Sequence, residues 1–404
     1  MSHPAAVLHA PSGIRKYGNR ITEMEQILRA QEDQFQSMGV NNGLMGLSLF
    51  YYYYALYTGE EKYLEQVSEY IGRAFGGINA DYQGHSCMID LMEMGYYLHF
   101  LREKGILEED LNPFLEDADS LITEHWNNQL KACNIDPMVG VIHAGNYFLA
   151  RSQNKDFRTE IDATVALLDQ LAVTDPMTGE VYWYFDFRNK TKPVVELGLF
   201  HGMAGVLNFL LSVYEQGGIS EAGTRLLFGG FKFLKRQMTL DGLNRFPFDA
   251  LTQEPLTTQN LAYGDLCLSY LFLRGGKLLQ VPDFTHIGNE LLDRSARMRE
   301  QNTTASDANI LYGSAGLAAF FNQLSAQTHS IQASDAAAYW LDKTLQGNKY
   351  LTPWAGYQAS FNTHLVATQL NYAEGICGIG IVLMAHELEV GHEHLKFLNY
   401  QLRF

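Results

Sequence analysis

Leu197-Gly198-Leu199-Phe200-His201-Gly202-Met203-Ala204-Gly205-Val206-Leu207-Asn208-Phe209-Leu210-Leu211-Ser212-Val213-Tyr214 sets one histidine and two glycines at the head of an apolar run. Such a run, hydrophobic nearly all round, marks a helix buried on every side. Gly202 and Gly205 stand three apart at its start, where a missing side chain lets the backbone approach a neighbouring helix or a ligand closely. His201 projects from the mouth of that helix. On spacing alone it reads either as a satisfied structural histidine or as a catalyst.

Working outward, six further segments repeat this plan of small residues followed by apolar and aromatic ones. They are Asn42-Gly43-Leu44-Met45-Gly46-Leu47, Asp90-Leu91-Met92-Glu93-Met94-Gly95, Val139-Gly140-Val141-Ile142-His143-Ala144-Gly145, Tyr263-Gly264-Asp265-Leu266-Cys267, Tyr312-Gly313-Ser314-Ala315-Gly316, and Glu374-Gly375-Ile376-Cys377-Gly378-Ile379-Gly380. The second is the most worn. Their spacing leaves room for two helices and two connections per unit. Between them lie amphipathic stretches such as Glu61 to Ala74, Asp156 to Leu171 and Ser220 to Gln237, which read as outer helices. Seven buried helices inside seven amphipathic ones make an all-α fold, an α/α toroid of helical hairpins like the barrel of six-hairpin glycosidases. Its glycines cluster at one end of the inner ring around a central cavity.

Some connections carry strand signals. Gly179 to Phe185 and Gly242 to Phe248 are rich in aromatic and β-branched residues, and Asp175-Pro176-Met177-Thr178-Gly179 is a turn by its own residues, so short β-hairpins are expected at the rim. The Tyr51-Tyr52-Tyr53-Tyr54 run reads as core packing with hydroxyls reaching polar rims. His386-Glu387-Leu388-Glu389 with Gly391-His392-Glu393-His394 is not an H-E-x-x-H motif and reads as a solvated helix end. No composition break divides the chain, so residues 1–404 are expected to form one domain, with residues 1–20 an N-terminal arm.

Composition bounds the partners. The net charge of −16 argues against nucleic acid, whose phosphates need a basic footprint. The four cysteines, Cys87, Cys133, Cys267 and Cys377, are far apart and form no C-x-x-C pair, which suggests neither a disulfide framework nor a zinc knuckle. The N-terminus lacks a basic segment leading into an apolar core, and no run is apolar enough to span a bilayer. A soluble, cytoplasmic protein with no transmembrane segment is the expectation.

With its repeats in this order, and with His201-Gly202-Met203-Ala204-Gly205 in the fourth, the chain resembles the lanthionine synthetase C-like family of lanthipeptide cyclases over nearly its whole length. The resemblance implies an α/α toroid with a central site. It implies zinc that activates peptide cysteine thiols for addition to dehydroalanine or dehydrobutyrine, closing thioether rings. Carried over position by position, it assigns acid/base work to His201 and matches an aspartate ahead of the third-repeat glycine to Asp136 in Asp136-Pro137-Met138-Val139-Gly140. The tyrosine of the fifth-repeat W-C-Y-G motif falls on Tyr263. That motif's zinc-binding cysteine falls on Ala262 and its tryptophan on Leu261. The C-H-G pair of zinc ligands in the sixth repeat falls on Leu311 and Tyr312, and an arginine ahead of the fifth motif falls on Thr258.

The resemblance therefore comes without its zinc ligands. A zinc site of this kind takes three protein ligands from thiolate, imidazole or carboxylate, so no cofactor is expected. Two readings follow: a non-catalytic member that holds a modified precursor peptide with its leader, as a scaffold for a dehydratase partner, or a metal-independent thioether cyclase. In the second, His201 takes the thiol proton, Asp136 orients the imidazole, and Tyr263 or Tyr312 protonates the enolate. A third reading, from another class, is a carbohydrate-active α/α-barrel enzyme that uses paired carboxylates drawn from Asp136, Glu196, Asp249 and Glu374.

Overall fold

A computed structural model describes residues 16–404 except 80, 81, 83, 85, 109, 186–192, 240–241, 300–306, 361–362, 399–401 and 404. Its helices run in chain order as α1 (Gly18–Ala30), α2 (Leu44–Thr58), α3 (Lys62–Gly76), α4 (Cys87–Glu103), α5 (Asn112–Lys131), α6 (Val141–Arg151), α7 (Arg158–Leu171), α8 (Met203–Glu215), α9 (Glu221–Gln237), α10 (Asp265–Leu279), α11 (Pro282–Ala296), α12 (Ser314–Thr328), α13 (Ile331–Gln346), α14 (Val366–Leu370) and α15 (Ile376–Glu387). The inner ring is α2, α4, α6, α8, α10, α12 and α15. In α8 every residue from Met203 to Val213 is buried, and α15 is buried from Ile376 to Ala385. Outer helices α3, α5, α7, α9, α11 and α13 each follow their inner partner and bury one stripe only, as in α9 and α13. This is an α/α toroid.

The seventh outer helix comes from the other end of the chain. Helix α1 packs on α15, and Glu387 at the end of α15 accepts hydrogen bonds from the Tyr17 backbone N–H and the Tyr57 hydroxyl. Ring closure between α15 and α2 thus joins the two chain ends. The expected arm over residues 1–20 is corrected at its C-terminal end: Tyr17 is buried and helix begins at Gly18, while residues 1–15 lie outside the described residues.

Four of the glycine turns close in the same way. The backbone N–H after the first glycine bonds the carbonyl of the residue six before that glycine: Leu44 to Ser37, Val141 to Asn134, Met203 to Glu196 and Ser314 to Asp307, all within 2.8–2.9 Å. That carbonyl lies so near that a Cβ on Gly43, Gly140 or Gly202 would overlap it. The second glycine meets the same limit: a Cβ on Gly46, Gly205, Gly316 or Gly378 would overlap the carbonyl oxygen of Val40, Leu199, Ile310 or Tyr372. The paired glycines are therefore required by close approach. Neighbouring turns are also joined, through Leu199 N–H to Ala262 O (2.8 Å), Leu311 N–H to Ala373 O (3.1 Å) and Ala373 N–H to Asn41 O (3.1 Å).

The worn second repeat replaces its glycine turn with a carboxyl grip. Glu93 accepts from the Asn41 backbone N–H (2.8 Å) and from Asn41 Nδ2 (2.6 Å), while Asp90 accepts from the Tyr82 hydroxyl, and a Cβ at position 39 would press on both carboxyls. Burial, then the nearby Asp90 charge, push the Glu93 carboxyl up to about 8. A folded pKa above the unfolded value of about 4.3 means that the native state keeps a proton the unfolded chain has lost, so stability falls as pH rises from about 4.5 towards 8. Glu93→Gln is expected to flatten that fall. Thermal unfolding between pH 5 and 8.5 checks it; an unchanged slope contradicts the assignment.

One of the two expected rim hairpins forms. Strands β1 (Val173–Thr174) and β2 (Val181–Tyr182) pair antiparallel across a turn in which Gly179, at φ +70°, donates its N–H to Asp175 O at 2.7 Å. Gly242 to Phe248 forms no strand ladder. There the buried Asp265 carboxylate takes the Arg245 and Phe246 backbone N–H groups at 2.8 and 3.2 Å, and those donors are lost to a sheet.

The reading of the last histidines is corrected too. His392 and His394 are buried, not solvated, because the C-terminal segment folds back into the middle of the ring. A 3₁₀ turn at Glu393–Phe397 brings His394 against Tyr53 of α2, and Tyr372 donates to the His394 carbonyl at 2.7 Å. Asn41 Nδ2 donates to Phe397 O at 3.1 Å, and the Tyr270 hydroxyl of α10 accepts from the Arg403 N–H at 2.8 Å and donates to Arg403 O at 3.0 Å. The segment thus touches inner units one, two, five, six and seven. Desolvation lowers both imidazoles, His392 to about 3, so both are held neutral. The four consecutive tyrosines line the same core, with Tyr52 edge-on to Phe100 and the Tyr51 hydroxyl donating to Glu25 at 3.1 Å.

Candidate functional site

The residue just before each turn glycine occupies one equivalent position at the N-terminal end of an inner helix. In chain order these are Asn42, Val139, His201, Tyr263, Tyr312 and Glu374. Three of the four expected catalytic residues, His201, Tyr263 and Tyr312, share it. The fourth, Asp136, lies four before its glycine, where an Asx side chain folds the turn. Asp136 Oδ1 accepts from Met138 and Val139 N–H at 2.7 and 3.2 Å, and Asn260 Oδ1 from Ala262 and Tyr263 N–H at 2.9 and 3.0 Å. Asn309 does the same for Tyr312 N–H (2.8 Å) and Asn371 for Glu374 N–H (2.7 Å). Sequence reading missed this Asx position. Its signal was present: Asp136, Asn260, Asn309 and Asn371 each precede a turn glycine by four.

Asp136 and His201 come together from adjacent turns. His201 Nδ1 lies 2.9 Å from Asp136 Oδ2 and 3.2 Å from Oδ1. A carboxylate is an acceptor, so it holds the proton on Nδ1 and leaves Nε2 as the basic nitrogen. Both side chains are mostly buried, at 14% and 10% exposure, which strengthens the pairing over its worth in water. Gly205 makes the approach possible. A Cβ there would sit 2.6 Å from Pro137 Cγ, in the residue next to Asp136, as well as overlapping Leu199 O. Gly205→Ala is accordingly expected to cost about 3 kcal/mol of stability and to separate Asp136 from His201. A melting temperature equal to that of the parent protein contradicts this.

Tyr263 lies across the start of the turn that carries His201: a Cβ on Gly198 would meet its ring at 2.7 Å, and Phe248 packs 5.4 Å from it on another side. Tyr312 stands one unit farther round the ring, beside the turn of Glu374. Burial, with Asp307 nearby, pushes the Glu374 carboxyl up to about 7. Asp307 is itself raised by burial, against the pull of its N–H donors Asn309 and Ser360. Glu374 sits at the equivalent turn position and joins the candidate site on that ground.

Two of the four carboxylates weighed for sugar cleavage, Asp136 and Asp249, have other work. Asp136 serves His201 and its own turn. Asp249 accepts from Val195 and Leu251 N–H at 2.9 and 3.1 Å, in a backbone bridge with the buried Glu196.

At the positions where the family carries zinc ligands, the residues do not fit the ion. Ala262 is fully buried with its carbonyl engaged by Leu199 N–H, and Leu311 offers an alkyl side chain. Tyr312 supplies a phenol, a poor ligand while neutral. The nearest thiols do not replace them: Cys267 and Cys377 are buried, donate to Gly264 O and Gly46 O at 3.2 and 3.3 Å, and are driven far up by desolvation. Among the described residues no group of three or more His, Cys, Asp or Glu side chains is placed to hold a metal. None of the described helices is long and apolar enough to cross a membrane.

Comparison with known proteins agrees with this architecture. No curated protein sequence matches the chain. Among solved structures, that of a nisin cyclase superposes with a TM-score of 0.72 over 96% of this chain and 98% of that one, at 15% sequence identity, a likeness of fold. The family model for lanthionine synthetase C-like proteins matches residues 34–295, from the first glycine turn through the fifth hairpin. The chain belongs to the lanthionine synthetase C-like family.

Proposed function

We propose that this protein binds a modified precursor peptide at the glycine-turn mouth and closes thioether rings there without a metal. The observation that carries the reading is the Asp136–His201 pair at 2.9 Å, a base oriented by a carboxylate. A peptide cysteine with a pKa of about 8.5 is a few per cent thiolate at neutral pH. His201 Nε2 takes the S–H proton as the sulfur bonds to Cβ of dehydroalanine or dehydrobutyrine. The Cα–Cβ π pair moves onto the enolate, and Tyr263 or Tyr312, or the imidazolium formed at His201, returns a proton to Cα. The sum is an addition in which nothing is oxidised or lost.

With no zinc to lower the thiol pKa, the imidazole carries that task alone and a modest rate follows. The peptide would reach the site already dehydrated, so a dehydratase supplies the substrate, and the reading places the reaction in the cytoplasm. The test uses a peptide bearing one dehydroalanine and one cysteine. Loss of alkylatable thiol at unchanged mass, faster with the protein than without it, supports ring closure. Binding of the peptide with no acceleration supports the scaffold reading in its place.

A further inference from the structure

Of the residues that stand just before a turn glycine, Glu374 alone carries a carboxyl. In the order of the seven inner helices its turn comes three units after that of His201, so the two occupy opposite sides of the mouth. The backbone there is pinned from both neighbouring turns. Ala373 O accepts from Leu311 N–H and Ala373 N–H donates to Asn41 O, both at 3.1 Å, while Asn371 takes the Glu374 N–H at 2.7 Å and donates from Nδ2 to Asn42 Oδ1 at 2.9 Å. The side chain, which is half-buried, is not held in this way: among the described residues its carboxyl accepts no hydrogen bond and meets no cation within ion-pair distance. The other carboxylates near the turns do have donors, as Asp136 has in Met138 and Val139 N–H, and Asp307 in Asn309 and Ser360 N–H. The sixth turn brings Asp307 and Tyr312 to this side of the mouth, and the first brings the neutral Asn41 and Asn42. A carboxyl drawn out of water with a second acid nearby and no donor favours its protonated form, and Glu374 keeps its proton to about 7.

We infer that Glu374 is the acid that delivers the proton to Cα of the enolate, in place of a tyrosine or the imidazolium. The assignment rests on the ring-closing reading and adds one residue to it. His201 takes the thiol proton on the side of the double bond where sulfur adds, and the imidazolium stays on that side. A donor on the opposite wall of the mouth reaches the other face of Cα, so sulfur and proton add anti. The Glu374 O–H bond breaks as the enolate electron pair forms the Cα–H bond. The carboxylate then regains a proton from water and the imidazolium releases one, so the protein returns to its starting state. A general acid works best with a pKa near the working pH, where it still carries the proton and yields it readily. A neutral carboxyl also admits the thiolate and the enolate, both of which a charged one repels.

The test compares the full-length parent protein with Glu374→Gln on the peptide bearing one dehydroalanine and one cysteine. It follows the rate of closure from about pH 6 to 9 and the configuration at the new Cα centre. The parent rate is expected to fall above about pH 7, as Glu374 loses its proton, and the product to be a single diastereomer. Glu374→Gln is expected to be about 10²-fold slower at neutral pH, to lose that fall, and to give mixed diastereomers, because water protonates either face. Its melting temperature should equal or exceed that of the parent, since a carboxyl whose pKa the fold raises costs stability once the unfolded chain has ionised. A parent protein that does not speed closure removes the ring-closing reading and this assignment with it. A parent that does, with the rate or the single diastereomer unchanged in Glu374→Gln, overturns the assignment alone.

Discussion

His201→Ala is expected to slow thioether closure by about 10²–10⁴-fold, the usual yield of a positioned general base, while the melting temperature stays close to that of the parent protein. The rate falls because Nε2 is the only basic atom that the Asp136 contact prepares. The fold survives because His201 sits on a turn against the Asp136 carboxylate and not in the apolar core. Asp136→Asn is expected to show a smaller loss with a changed pH profile, since the amide can leave the ring proton on the wrong nitrogen. Asp136 also folds its own turn through Met138 and Val139, so its removal should lower stability more than removal of His201. Thiol counts after alkylation and thermal unfolding read both effects on the same preparations.

A second large effect is expected far from the mouth. Arg151 and Asp119 form a buried ion pair at 2.7 Å, with side-chain exposures of 0% and 1%, completed by the Tyr147 hydroxyl at 2.7 Å and Lys155 at 3.1 Å. Arg151→Met removes the cation and leaves Asp119 without its main partner, which costs about 3–5 kcal/mol. Burial alone would raise the Asp119 carboxyl, but Arg151, Tyr147 and Lys155 together hold it below its usual range. A depressed carboxylate contributes stability that is present above its unfolded pKa of about 3.9 and is lost as pH falls through the lower folded value. The parent protein should therefore lose stability below about pH 4, and the variant less steeply. Denaturant unfolding at pH 7 and pH 3.5 separates these outcomes; a change under 1 kcal/mol at pH 7 contradicts them.

The parts legible in the sequence are those fixed by local chemistry. Paired glycines marked the inner helix starts because a Cβ at Gly202 or Gly205 has no room, and the all-apolar run after them marked burial. The pairing of Asp136 with His201 could be stated only as a requirement, because it is the packing of consecutive hairpins that brings two residues 65 apart in sequence into contact. The C-terminal segment was misread for a related reason. It is polar enough to look solvated, yet its return into the ring desolvates His392 and His394. Glu93 was hidden as well: nothing in Asp90-Leu91-Met92-Glu93 tells that its partner is Asn41, on the neighbouring turn of the first unit.

The residues at the family's zinc positions set this chain apart from a metal-dependent cyclase more sharply than its fold does. Ala262 and Leu311 cannot bind an ion, and the thiols of Cys267 and Cys377 are turned to backbone carbonyls. What remains at the mouth is an oriented imidazole, two tyrosines and a raised carboxyl on equivalent turns. The most direct measurement is the rate of thioether closure on a dehydrated, cysteine-bearing peptide by protein exhaustively treated with chelator and freed of metal. A metal-independent site retains the full rate and gains nothing from added zinc. A rate abolished by the chelator and restored by stoichiometric zinc contradicts it.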